Sequence, residues 1–190
     1  VIVVALRTEA CALTGHVAEA PLLRTGMGPR RVGRHAALLD TAPGWCSAGV
    51  AGGLAPGLAT GEVVVADEVT SPRGRIAIPG AEVLAERLAG AGLSVRVGRL
   101  ACSDKVVHSA GRAALAASGA LAVDMESWTL AQLAGPRPFA VVRVVLDTTQ
   151  RPLLRPGTPV RAWRALRVLR RAGPVLGNWV RAMSTPEEVI

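Results

Sequence analysis

Three carboxylates in this chain each follow an apolar, β-branched run. Glu9 stands three residues past "VIVVAL", Glu126 follows "SGALAV" in "VDMESW", and Asp147 ends "FAVVRVVLD". Acids so close to buried strands are costly to desolvate unless something uses them. Brought together, such groups can take one proton and give another, the equipment of general acid–base catalysis. Two further segments follow strand-like runs: Ala51-Gly52-Gly53 past "WCSAGV", and Ser103-Asp104 past "VGRLAC". In an open α/β sheet, ligands bind beyond the carboxyl ends of strands. These residues would therefore meet on one rim beside a Gly-rich turn. Glu9 and Glu126 also fall in first helical turns, where the helix dipole alone favours acids. Three such coincidences at one rim make a site the stronger reading.

The elements that would hold them alternate in kind. Strands are expected at "VIVVAL", "WCSAGV", "EVVVADEV", "GRIAI", "LSVRVGRLA", "ALAV" and "FAVVRVVL". Helices are expected over 8–17, 29–39, 81–91, 109–118 and 126–133, the second with Pro29 in its first turn. Strands separated by helices predict an α/β domain with a central mixed, mostly parallel, twisted sheet flanked by helices. Residues 1–150 form that domain in this reading. Residues 151–190 form a Pro-rich connector and an Arg-rich tail of two helices, 160–172 and 174–183.

Composition narrows the classes. At 190 residues, half of them hydrophobic and 19% charged, the chain can bury a real core and is not disordered. No apolar stretch approaches the ~20 residues of a membrane span. The opening "VIVVAL" reads as a strand, not a signal peptide. The net charge is +8, but residues 155–183 carry seven Arg and no acid, and the rest holds 15 bases against 14 acids. A near-neutral body argues against a nucleic-acid partner. Cys11, Cys46 and Cys102 are well separated with no CxxC, which predicts reduced thiols and a cytoplasmic location. "GMGPRR" puts Arg31 where a dinucleotide fingerprint needs Gly, and no P-loop or GxSxG elbow occurs. The three His are unpaired with each other or with Cys, so neither a metal nor a cofactor is expected.

Taken in order, "ALRTE", "AGVAGGLAPGLATGEVVVAD", "AVDMES" and "VVRVVLD" resemble the nucleoside phosphorylase and nucleosidase superfamily, in layout the 5′-methylthioadenosine/S-adenosylhomocysteine nucleosidases. "CSDKVVHSAGRAALAASGALAVDMES" and the Arg-rich tail resemble its hopanoid-associated branch, thought to remove adenine from adenosylhopane. The resemblance implies cleavage of a purine N-glycosidic bond by hydrolysis or phosphorolysis, with hydrolysis favoured. Asp147 would protonate purine N7, and Glu9 would deprotonate the attacking water. Glu126 would accept ribose hydroxyls while Met125 packs the sugar. Val106, Val107, Ser103 and Asp104 would line the base pocket. If phosphate were co-substrate, Arg143, Arg30 or Arg31 would be its cradle. Val50, Val106 and Leu146 replace more polar or aromatic residues of the nucleosidases and make the pocket more apolar. A soluble methylthioadenosine-type substrate and a non-catalytic nucleoside-binding module are the alternatives.

The resemblance further implies a homo-oligomer. On a helical wheel, Arg161, Arg164, Arg167, Arg170 and Arg171 share one half, and Trp163, Leu166 and Leu169 the other. A basic amphipathic helix with Trp suits peripheral membrane contact through 160–183, fitting a lipid-linked nucleoside. The same pattern would equally pack its Leu face on the domain.

Overall fold

A strand that is apolar at every position must be covered on both faces. The computed structural model describes residues 1–149 and 157–184 and shows that covering. In chain order the elements are β1 (Ile2–Val4), α1 (Arg7–Leu13), β2 (Leu22–Arg24), α2 (Pro29–Gly33), α3 (Ala36–Asp40), β3 (Trp45–Gly53), β4 (Val63–Ser71) and β5 (Gly74–Ala77). They continue with α4 (Ala81–Gly90), β6 (Val95–Cys102), α5 (Ser109–Ala117), β7 (Ala122–Asp124), α6 (Ser127–Ala134), β8 (Phe139–Asp147) and α7 (Thr158–Ser184).

Successive strand residues point to opposite faces, so each strand feeds two cores. Ile2, Val4, Val63, Val65, Val142 and Val144 join a core with residues of α1, α4 and α7. Val3, Val64, Ala66, Val141 and Val145 join the opposite core, with residues of α2, α3 and α6. The strands form one mixed, mostly parallel sheet. Pairings β1–β2, β1–β3, β3–β8, β4–β6 and β6–β7 are parallel; β3–β7, β4–β5 and β4–β8 are antiparallel. Because β8 pairs with both β3 and β4, the strands β3, β8, β4, β6 and β7 close into a ring. The expected α/β fold is therefore present, with helices on both faces.

Several local expectations change. The helix read over 8–17 stops at Leu13, because Thr14 turns extended and Gly15 takes a left-handed φ of 75°. The single helix over 29–39 is two short ones, α2 and α3, and the short strand β2 was not anticipated. Ala51-Gly52-Gly53 is not a turn but the end of β3. The Pro-rich connector lies largely outside the described residues.

The tail holds one helix, α7, rather than two, with Pro174 inside it. An internal proline costs about 3 kcal/mol. Packing carries the helix through: Ala165, Leu169, Ala172, Leu176 and Val180 are all buried in the core shared with α1 and α4. Two glycines bring α7 against the loop after α1. A Cβ at Gly173 would lie 2.6 Å from the His16 carbonyl oxygen, and one at Gly177 only 2.0 Å from that of Val17. The Leu face of this helix thus covers the domain. Trp163 lies off that face and is 60% exposed, with Arg167 stacked 5.1 Å from its ring centre.

Candidate active site

The ends of β1, β3, β7 and β8 meet at a cavity of about 580 Å³. Glu9, Glu126 and Asp147 all line it. So do Ala51, Gly52, Met125, Val106 and Val107, and most of the remaining lining is apolar, including Leu6, Val50, Val123 and Leu146.

Glu9 is the third residue of α1 and is buried at 2% exposure. Three backbone amides hold its carboxylate: Ala5 and Leu6 donate to Oε2 at 3.0 and 2.7 Å, and Val50 donates to Oε1 at 2.8 Å. Gly49 gives it room, since a Cβ there would sit 2.6 Å from Oε1. Burial raises its pKa, against the opposing pull of those amides and of Arg143. A carboxylate has about four acceptor sites, so one remains for a water proton.

Glu126 is the N-cap residue of α6 and is also buried. Its Oε1 accepts the Gly28 amide at 2.8 Å. That bond explains "GMG": Gly28 has φ 87°, a conformation costly for any residue with a Cβ, and it aims its N–H at Glu126. Burial first, and the charge of Asp124 second, push the Glu126 pKa up to about 7. Its Oε2 makes no hydrogen bond among the described residues.

Asp124 holds the frame. It accepts the Ser127 amide and hydroxyl at the start of α6, and the Nε and Nη2 of Arg143 at 2.9 and 2.6 Å. Arg143 also donates to Ser47 Oγ and the Val142 carbonyl and is 3% exposed. Burial alone would lower its pKa, but Asp124, Glu126 and Glu9 together raise it. Arg143 is thus the counter-ion beneath three carboxylates. Arg30 and Arg31 are exposed on α2 and are not among the residues that line the cavity.

Asp147 is presented by a bulge. Ala51 pairs with Val145 but Gly52 pairs with Asp147, so Leu146 is the extra residue of β8. Bulges re-aim side chains next to active sites, and here Leu146 and Asp147 both reach the cavity. Asp147 does not stand alone. Arg112 of α5, which sequence reasoning missed, donates through Nη1 to its Oδ2. The available signal was one Arg in an otherwise small and apolar helix, "SAGRAALAA". Gly52 makes the pair possible: a Cβ there would lie 2.2 Å from Arg112 Nη2.

Ser103 and Asp104 are not brought to the site. Ser103 Oγ donates to the Lys105 carbonyl, and Asp104 pairs with exposed Arg73. Lys105 and His108 line the cavity instead. Cys46 and Cys102 are buried, and burial pushes the Cys46 thiol up to about 12, which keeps it inert. Among the described residues no cluster of His, Cys, Asp and Glu could hold a metal ion, and no helix is long and apolar enough to cross a membrane.

The chain shares its fold with solved nucleosidases. The 5′-methylthioadenosine/S-adenosylhomocysteine nucleosidase of Neisseria meningitidis, in complex with methylthio-immucillin-A, superposes with a TM-score of 0.73 at 21% identity, over 97% of this chain and 98% of that one. The S-adenosylhomocysteine nucleosidase of Streptococcus pyogenes gives 0.74 at 21%, over 93% and 95%. The 5′-methylthioadenosine/S-adenosylhomocysteine nucleosidase of Campylobacter jejuni gives 0.75 at 16%, over 90% and 97%. No curated protein matches. The sequence model described as "Phosphorylase superfamily" matches residues 8–172, from α1 into α7. That span takes in Glu9, Glu126 and Asp147, and the chain belongs to the phosphorylase superfamily.

Proposed function

We propose that this protein is a purine nucleosidase that releases adenine by hydrolysis from nucleosides with a bulky apolar 5′ substituent, adenosylhopane being the substrate its sequence resemblance implies. The observation that carries the reading is the convergence of Glu9, Glu126 and Asp147 on one largely apolar cavity. Its volume of about 580 Å³ exceeds what a nucleoside alone fills, and most of its lining is apolar.

In this reading water occupies the free acceptor site of Glu9, which takes its proton as the water adds to C1′. The amides of Ala5, Leu6 and Val50 fix the carboxylate so that little reorganisation accompanies the step. The open Oε2 of Glu126 accepts a ribose hydroxyl. An ionised Glu126 also favours the cationic sugar that develops as the glycosidic bond stretches. Met125 packs the sugar, and Val106 and Val107 pack the base. Asp147, with Arg112, addresses the departing purine.

Hydrolysis is favoured over phosphorolysis because the nucleophile side presents Glu9, an acid that would repel phosphate. Every nitrogen of Arg143 beneath it is already engaged, by Asp124, Ser47 and Val142. Methylthioadenosine is the second reading, supported by the fold shared with nucleosidases of that class. Incubation with adenosylhopane, methylthioadenosine and inosine, with and without phosphate, tests both. Phosphate-independent adenine release, fastest from the hopanoid, is expected. A phosphate requirement would make the protein a phosphorylase, and no base release from any of the three would sink the reading.

A further inference from the structure

The segment between β6 and α5 supplies consecutive residues of the cavity wall, Lys105, Val106, Val107 and His108. Backbone bonds fix its two ends: the Ser103 amide donates to the Asp124 carbonyl at 2.9 Å, and the Arg112 amide to the His108 carbonyl at 2.9 Å. Between them Ser103 Oγ donates to the Lys105 carbonyl at 2.8 Å and accepts the Lys105 amide at 3.3 Å. That local turn shapes the segment but does not set its distance from the opposite wall. Burial does not set it either, because Val106 is 62% exposed. Asp104 reaches further. Its Oδ2 accepts from Nη2 of Arg73 at 2.8 Å, across 31 residues. Arg73 lies in the two-residue turn between β4 and β5, where Ser71 pairs with Gly74. Pro72 restricts that turn, and the Arg73 amide donates to Ser71 Oγ at 3.0 Å. Gly74 lies against Trp128, whose ring would be 3.6 Å from a Cβ there. Trp128 is buried in α6, the helix that Glu126 caps. The hairpin thus touches the helix of Glu126 at one point and the wall of Val106 and Val107 at another.

We propose that Arg73 and Asp104 are positioning residues whose ion pair straps segment 103–108 to the β4–β5 hairpin and so sets how closely Val106 and Val107 face Glu126 across the nucleoside site. The proposal rests on the purine-cleavage reading for what the wall closes on, and on the hairpin contacts for the strap itself. Neither side chain lines the cavity. Both are 54% exposed, so the pair contributes little to global stability and is screened by salt. Its effect is local: without it, part of the binding free energy goes into ordering the wall. An uncharged nucleoside gives salt no charge of its own to screen, so salt acts on its binding through the protein.

The test pairs steady-state kinetics on adenosine, at low salt and at about 1 M KCl, with hydrogen exchange of the free protein. In the wild type, salt should raise KM about two- to fivefold, the range for an exposed pair, and leave kcat within about twofold. Arg73→Gln and Asp104→Asn should each show that higher KM already at low salt, with no further response to salt. Because the two share one interaction, the double variant should be no worse than either single one. Arg73→Lys, which keeps the cation, should behave like the wild type. Exchange of the amides of 105–108 should be about two- to fivefold faster in Arg73→Gln at low salt, with the amides of β3 unchanged. Unaltered exchange at 105–108, or single-variant losses that add in the double variant, would overturn the proposal. Failure of the wild type to release base from any nucleoside would instead refute purine cleavage, and the exchange comparison would still decide the strap.

Discussion

Glu126 is caught between two demands. Burial and the neighbouring Asp124 favour its neutral form, while ribose binding and a cationic sugar favour the anion. Its pKa of about 7 lies above the ordinary 4.5, so the folded protein holds this proton more tightly than the unfolded chain does. The stabilisation from the neutral carboxyl is then complete below about 4.5 and is lost as pH rises to about 7. Activity should move the opposite way, with KM falling as pH rises through 7. Glu126→Gln removes the charge and keeps an acceptor for the Gly28 amide. We expect it to raise Tm at pH 8 but not at pH 5. It should lower kcat/KM on ribonucleosides about 10- to 100-fold, the worth of a hydrogen bond to a charged group, and lower it less on 2′-deoxy substrates. Parallel thermal melts and steady-state assays check this; an unchanged Tm together with equal losses on both sugars would return Glu126 to a purely structural part.

Elements are positioned by backbone contacts that side chains cannot replace. Helix α7 lies against the loop after α1 through Gly177, where even one methyl would press on the Val17 carbonyl oxygen. Gly177→Ala should therefore cost about 1–3 kcal/mol, the range for overpacking, although alanine is the better helix former. Gly90 ends α4 with nothing within 4 Å of its missing Cβ. Gly90→Ala should be neutral or stabilising by up to about 1 kcal/mol. Urea midpoints of the two variants give the comparison, and equal effects would show that α7 has slack at its contact with the loop after α1. The same loop logic acts at the site, where Gly28 and Gly52 give Glu126 and Arg112 their places.

At the scale of the molecule, α7 has two roles to divide between its faces. Leu169 and Leu176 close the core and contribute roughly 1.5–3 kcal/mol each. Removal of 158–190 should unfold the protein, seen as loss of the cooperative melt. Any contact with a bilayer must therefore use the outer face, where Val160 and Trp163 are exposed beside Arg164, Arg167, Arg170 and Arg171. If the substrate is drawn from a membrane, the full chain should sediment with anionic vesicles at low salt. Substituting Arg164→Gln, Arg167→Gln and Trp163→Ala together should weaken that binding roughly 30-fold or more, at about 1 kcal/mol per arginine before the Trp is counted. Turnover of a soluble nucleoside should be untouched. Failure of the intact protein to sediment would remove the membrane from the account.

Local chemistry made much of this legible in the sequence. Runs such as "VIVV", "VVVA" and "AVVRVV", apolar at both parities, could only be strands covered on both faces, and strands separated by helices required a mostly parallel sheet. Of the acids just past strand ends, Glu9, Glu126 and Asp147 gather at one rim, whereas Asp104 turns away to pair with Arg73. What depended on partners far along the chain was not legible. Arg112 meets Asp147 across 35 residues and Arg143 meets Asp124 across 19, so spacing could not tell the arginine of the cavity from the arginine of the frame. The wheel of α7 showed an apolar stripe but not which residues a core would claim; Leu169 is buried while Trp163 is not. The bulge at Leu146 and the ring closed by β8 arise from register between strands distant in sequence. A side chain's type and local period are written in the chain, whereas the identity of its partner is an outcome of tertiary packing, and in this protein that outcome places a cation beside the proposed acid.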